Sequence, residues 1–400
     1  MSKAKGSVIG GMLLIAGSCI GAGMLALPIV TGLCGFIPSL GMFFLGWLFM
    51  TATALLLVEV NGWFSTHVNL LTMANHALGK WGKGICWVTY LFLFYALLVA
   101  YISGIGNLFG TFFQNSFHTT FPVWLGSLTF VLLFGWIVYL GTRKVDLFNR
   151  GLMLGKIGFF VLLVIAGISY ITPSYLLRTD PIYATSALPL LVIAFGFHNM
   201  IPSLTAYLKG DLKRVRLTII GGSLMAFTIY LIWEVLVLGI VPLEGAHGLI
   251  STLKKDQEAS QAIAAIIGSP TIGIFSQGLA FFAILTSFLA QALSLVHFLA
   301  DGLKLNYKKH ENLSLCILAL LPPLILSIIY PQLFFKALNF AGGICAVILF
   351  GLLPVAMVWI GRYRNANRGA YTMPGGKPAL LLIFTFSLFI LFIQLSSMLR

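Results

Sequence analysis

From Gly10 to Pro28 the chain reads Gly-Gly-Met-Leu-Leu-Ile-Ala-Gly-Ser-Cys-Ile-Gly-Ala-Gly-Met-Leu-Ala-Leu-Pro. The run is apolar enough for a helix in lipid, yet glycine stands at 10, 11, 17, 21 and 23. Each interior glycine costs a helix roughly 1 kcal/mol relative to alanine, so residues 17–23 are a weak point. A second stretch of the same character runs from Pro189 to Ser203, Pro-Leu-Leu-Val-Ile-Ala-Phe-Gly-Phe-His-Asn-Met-Ile-Pro-Ser. Gly196, His198, Asn199 and Pro202 stand in it, and Pro202 removes a donor and crowds the carbonyl near His198, which predicts freed backbone there. For the first stretch alone, glycines that let neighbouring helices approach explain the pattern equally well. Their positions in the whole chain decide between the two.

Only 8% of the 400 residues are charged and 59% are apolar, with a mean hydropathy of +1.01. Soluble domains carry about 25% charged residues, so the solvent of this chain is lipid. Its apolar runs are about 20 residues long and continuous, the length of a helix crossing a hydrocarbon core of about 30 Å, which favours helices over a barrel of short alternating strands. Lys3 and Lys5 precede an apolar run that continues to about Val30, too long for a signal-peptide core, so it is read as a retained first span. The five cysteines lie in or beside apolar segments without CxxC spacing, which argues against disulfide and metal roles. The formal charge of +14 is read as topology-setting loop charge and not as a nucleic-acid footprint.

Apolar windows punctuated by Gly, Pro and charge predict eleven spans, at about 7–30, 35–60, 84–113, 122–141, 151–171, 184–208, 216–241, 271–300, 313–330, 333–360 and 378–399. With the N-terminus in the cytoplasm, 19 of the 24 basic residues fall inside or at inner helix ends, Lys156 among them; Arg178, Lys254, Lys255, Lys336 and Arg400 fall outside. That split supports both the count and the orientation, and an odd number of spans puts the C-terminus outside. The stretch 242–270, with Glu244, Lys254, Lys255, Asp256 and Glu258, is expected to be external, nearly neutral and partly helical.

The two glycine-rich runs are spans 1 and 6, the first helices of two five-span halves. An odd repeat length gives the halves opposite orientations, and matching broken helices in inverted halves point to a binding site at the membrane midplane. Half-helix N-termini there attract a carboxylate and exposed carbonyls attract a cation; an α-amino acid carries both groups. The expected organisation is a first repeat over 1–175, a second over 176–360, and a cytoplasmic loop with span 11 over 361–400.

The residues at 17–28, Phe-Gly-Phe-His-Asn-Met-Ile-Pro-Ser at 195–203, Leu-Thr-Ser-Phe-Leu-Ala-Gln-Ala-Leu-Ser-Leu at 285–295 with Ala-Asp-Gly-Leu at 300–303, and the Leu-Leu-Leu-Val-Glu-Val run at 55–60 together resemble the hydroxy and aromatic amino acid permease family. The resemblance spans most of the chain, with the tyrosine-specific permeases as the nearest subgroup and tryptophan permeases next. It implies an all-α polytopic fold, leucine-transporter-like, of five plus five inverted spans with broken helices 1 and 6 and an eleventh helix. It also implies uptake of an aromatic amino acid, tyrosine first, by proton symport across the inner membrane, with no cofactor beyond the proton gradient. Asn199 departs from the small residue expected after the histidine.

On both grounds, the backbone at Gly21, Ala22 and Gly23, with Ser18 and Cys19, is the expected seat of the substrate's charged groups. Phe195, Gly196, Phe197, His198 and Asn199 are the expected opposite wall. His198, ionisable at mid-membrane, has three readings: contact with a substrate hydroxyl, a transported proton, or a cap on backbone freed by Pro202. Family resemblance casts Lys156 as the positive charge that replaces a sodium ion near spans 1 and 8, with Thr286 and Ser287 as the hydroxyl pair lining that place. Taken by its position alone, about five residues into span 5, Lys156 equally fits a side chain snorkelling to the cytoplasmic face. Glu234 in span 7 is a candidate for proton relay or for helix packing, Glu59 for anchoring a loop, and Tyr90, Tyr95 and Tyr101 for reaching the pathway.

An intramembrane enzyme is disfavoured, since HExxH is absent and Gly151-xxx-Gly155-Lys156 has the wrong spacing for a P-loop. A channel is disfavoured because paired broken helices suit alternating access. Serine or threonine permeases are the nearest alternative among transporters. The partners expected are a small amino acid and the lipid bilayer, with no nucleic acid, and nothing in the sequence specifies an oligomeric state.

Overall fold

The computed structural model describes residues 6–64, 68–117, 122–303, 313–365, 367 and 369–399. Among the described residues the chain is all helical, as lipid requires of a backbone that must pair its own polar groups. The helices are α1 (Val8–Cys19), α2 (Ala22–Thr31), α3 (Phe36–Asn61), α4 (Leu70–Phe117), α5 (Val123–Tyr139), α6 (Thr142–Gly167), α7 (Pro173–Leu176), α8 (Leu188–Ala194) and α9 (Ile201–Tyr207). They continue as α10 (Leu212–Ile240), α11 (Leu249–Lys254), α12 (Ala259–Ile267), α13 (Pro270–Gly302), α14 (Leu313–Ile329), α15 (Phe334–Phe340), α16 (Leu353–Tyr363) and α17 (Gly376–Leu399). A π-helical stretch, Ala341–Leu352, joins α15 to α16 in one continuous rod. By length and composition eight described segments can each cross a membrane, α1 and α2 form a ninth bent by 60°, and α5 and α14 are apolar helices of 17 residues. These correspond to the eleven expected spans.

Three features differ from the sequence reading. First, α4 begins at Leu70, inside the expected loop 61–83, and is broken at Gly79, whose φ of 68° only glycine adopts cheaply. The leading piece is polar enough to escape an apolar window, and Asn69 caps it by accepting from Thr72 N at 2.9 Å. Second, α6 begins at Thr142, nine residues before the expected start, because its first turns are polar; an Asp146–Arg150 pair at 2.9 Å lies exposed on them. Lys156 therefore stands fourteen residues into its helix, about 21 Å along it, and not near an end. Third, the 242–270 stretch forms α11 and α12 and draws Asp256 and Glu258 inside.

Glu59 does anchor a loop. It receives two hydrogen bonds from Arg362, one of 2.6 Å from Nε, and one from Met373 N at 2.8 Å, which holds the segment before α17. Of the basic residues used to orient the chain, Lys3, Lys5, Lys304, Lys308, Lys309, Arg368 and Arg400 lie outside the described residues.

Candidate functional site

The α1 helix stops at Cys19 because Ile20 leaves the helical region, at φ −73° and ψ 85°, and Gly21 turns extended, at φ −140° and ψ −156°. A Cβ on Gly21 would sit 2.4 Å from the Ser287 hydroxyl of α13, so only glycine permits this approach. The α2 helix then begins at an N-cap, Gly21, that has no side chain of its own, and its first amide, Ala22 N, donates a long hydrogen bond of 3.4 Å to Ser287 Oγ. Sequence 189–203 breaks likewise, between Ala194 and His198, with Phe195, Gly196 and Phe197 outside regular helix. Pro202 is not the cause. It sits in the first turn of α9, where a missing N–H costs nothing, and the break lies before it. Gly23 packs directly on Ala194, its would-be Cβ 3.6 Å from the Ala194 Cα, which brings the two breaks together.

Lys156 reaches this junction from α6. Its ammonium donates to Ile20 O at 2.5 Å and lies 3.5 Å from Thr286 Oγ1, and the residue is 2% exposed. The snorkelling alternative fails because α6 starts earlier than an apolar window shows. Two residues missed by the sequence reading hold the breaks from α10. The Tyr230 hydroxyl lies 2.6 Å from Cys19 O and 2.8 Å from Ala194 O, the last carbonyl of α1 and of α8. Trp233 Nε1 donates to Met24 O at 3.0 Å, the carbonyl that Pro28, four residues on, cannot serve. The available signal for both was a polar tip in an apolar span, since buried Tyr and Trp need a partner.

A cavity of about 470 Å³ opens at the junction. Ser18, Cys19, Gly21, Ala22, Gly23, Gly196, Asn199, Lys156, Thr286 and Ser287 all line it. It reaches the face where α1 begins, past Leu13, Leu14, Asp146 and Arg150. Phe195, Phe197 and His198 do not line it. Phe195 packs on Tyr230 with ring centroids 5.1 Å apart, and Phe197 on His198 at 5.2 Å. His198 Nε2 is 2.8 Å from Thr53 Oγ1, so its partner is a side chain of α3 and not backbone freed by Pro202. Glu234 lies away from the cavity too, with Thr31 Oγ1 2.6 Å from its Oε1 and no hydrogen-bond partner on its Oε2. Tyr90 and Tyr101 line the cavity, whereas Tyr95 donates to Leu318 O at 2.8 Å.

The opposite end is closed. Arg178 donates to Leu33 O at 2.9 Å and also to Gly32 O, and Asp180 N donates to Cys34 O at 2.7 Å. Asp256 accepts from Phe334 N at 2.7 Å and Phe335 N at 3.1 Å, tying the α11–α12 loop to α15. Burial raises the Asp256 carboxyl against the pull of those two amides.

A helical bundle of this kind, with two touching helix breaks over a one-sided cavity, is a multi-pass membrane transport protein and not an enzyme. The chain belongs to the tryptophan/tyrosine permease family, whose sequence profile matches residues 4–394. It is 33% identical to the tyrosine-specific transport system 1 of Haemophilus influenzae, over 96% of this chain and 95% of that protein. It is 28% identical to a tryptophan-specific transport protein of Pseudomonas aeruginosa, over 95% of this chain and 92% of that one. It is also 28% identical to glutamine transporter 2 of Aliivibrio fischeri, over 97% and 99%.

Proposed function

We propose that this permease imports an aromatic amino acid, most of all tyrosine, by proton symport across the inner membrane. In this reading the fold is two inverted five-helix halves with an eleventh helix, the N-terminus is cytoplasmic and the C-terminus external. One observation carries it: the start of α2, whose first amide is held only by a long bond to Ser287, and the Lys156 ammonium meet at one helix break inside a cavity large enough for an amino acid. The amides of α2 and the ammonium suit a substrate carboxylate, and Asn199 and Ser287 offer polar partners to its amino group. The names of the tyrosine- and tryptophan-specific relatives support an aromatic side chain.

Lys156 bridges Ile20 O and Thr286 Oγ1, a place where a small cation would bridge the same oxygens. A lysine there makes a sodium ion unnecessary and gives a proton a place to bind. The test is uptake of labelled tyrosine into proteoliposomes, without sodium, with and without an inward proton gradient, against unlabelled tryptophan, phenylalanine, serine and glutamine. Gradient-driven accumulation blocked best by aromatic competitors is the expected result. No accumulation, or competition by serine or glutamine alone, overturns the assignment. Lys156→Gln should abolish gradient-driven accumulation and slow tyrosine exchange by a smaller factor; unchanged accumulation would remove Lys156 from the coupling.

A further inference from the structure

We infer that Phe350, held in place by His198, forms with Tyr90 a slot for the aromatic ring of the substrate and sets the preference for aromatic over aliphatic side chains. The inference rests on the aromatic reading proposed above and assigns it to particular residues. Along α4, Tyr90, Leu93, Phe94, Leu97 and Tyr101 all line the cavity, a spacing of three and four that makes one face of a helix. The end of that face away from the helix breaks is aromatic. Tyr90 and Phe94 stack, with centroids 5.7 Å apart and planes 24° apart, and Phe350 meets Tyr90 edge-on at 6.3 Å and 71°. A third ring laid against them from the cavity finds both a face and an edge, the two arrangements aromatic pairs prefer.

Phe350 is not free to turn away. His198 lies flat behind it, centroids 4.7 Å apart and planes 16° apart. The His198 ring is itself fixed through Nε2 to Thr53 Oγ1, and Thr53 is 3.1 Å from Met50 O of the same helix. Thr53 has one hydroxyl hydrogen; when it goes to Met50 O, the hydroxyl oxygen accepts from His198 Nε2–H. His198 Nδ1 is then the bare acceptor, and it is buried with no partner among the described residues. A buried imidazole that leaves a hydrogen-bonding atom unused is poor packing for an apolar core, where a phenylalanine would serve. It does supply a flat plate pinned at one edge, which a phenylalanine, lacking the tether, does not. The chain Thr53–His198–Phe350 thus carries orientation from α3, through the broken helix, to a ring in the cavity wall. His198 is a positioning residue here and Phe350 the one that touches substrate.

The experiment is tyrosine counterflow in proteoliposomes, with KM and maximal rate for each variant and competition by phenylalanine and leucine. Phe350→Leu should raise the tyrosine KM about tenfold, the worth of one good ring contact, with the maximal rate little changed. It should also erase the preference for phenylalanine over leucine, and Phe350→Tyr should keep it. His198→Gln, which keeps a donor for Thr53 but loses the plate, should shift the same preference by a smaller factor. If Phe350→Leu retains the wild-type preference, or weakens all competitors equally, the slot is elsewhere and the aromatic assignment still stands. If the wild type itself shows no aromatic preference, both the slot and the assignment fall.

Discussion

Gly21 and Lys156 meet at one helix break, where the Lys156 ammonium donates to the carbonyl of Ile20, the residue before Gly21. The glycine was legible because a helix in lipid has little reason to carry so many, and the structure supplies the reason: Ser287 occupies the space of its Cβ. Gly21→Ala should therefore push α13 from the break and cut tyrosine transport strongly, at an overpacking cost of about 1–3 kcal/mol. Adding Ser287→Ala should restore part of the lost rate; a double variant no better than the single one would mean that Gly21 is needed for its backbone alone. Lys156 was ambiguous because hydropathy windows mark where a helix is apolar and not where it starts. His198 was legible as an unusual residue but not by its neighbour. Phe350 carried no signal at all, being one of 33 phenylalanines.

Among elements, the long apolar rods were plain in the sequence and the polar extensions were not. The first turns of α6 and the piece of α4 before Gly79 are amphipathic, and nothing but tertiary contact distinguishes them from loops. The α11–α12 loop is the sharper case, since its acidic residues look solvated by composition. Glu258 is buried instead, accepting from Ser260 N at 2.7 Å and from Ser260 Oγ at 2.8 Å. Burial pushes its carboxyl up to about 7, against the pull of the Ser260 hydroxyl and amide. The folded loop thus keeps a proton that the unfolded chain, near the ordinary 4.5, has already released. This stabilisation is whole below that ordinary value and is lost as pH rises through 7. The purified protein should therefore unfold at a higher temperature at pH 5 than at pH 8, and Glu258→Gln should shrink that difference. A difference unchanged by the substitution would show that Glu258 is not its source.

At the scale of the molecule, the cavity opens at the end where α1 begins, and two latches close the other end, Arg178 on the chain after α2 and Asp256 on α15. Arg178→Gln should loosen that closed end. In a background keeping only Cys34, which is buried there, the variant should react faster with a membrane-impermeant maleimide than the parent. Equal labelling rates would leave closure to the Asp256 latch. What Arg178 and Asp180 grip is main chain: the carbonyls of Gly32, Leu33 and Cys34, which follow directly on α2. Contacts between separate side chains fray one at a time, whereas three acceptors at the tip of a single lever let go together. Release of this grip should therefore be cooperative, the three carbonyls leaving together. In a carrier latched this way, any half-open stage through which ions or water slip should be short-lived.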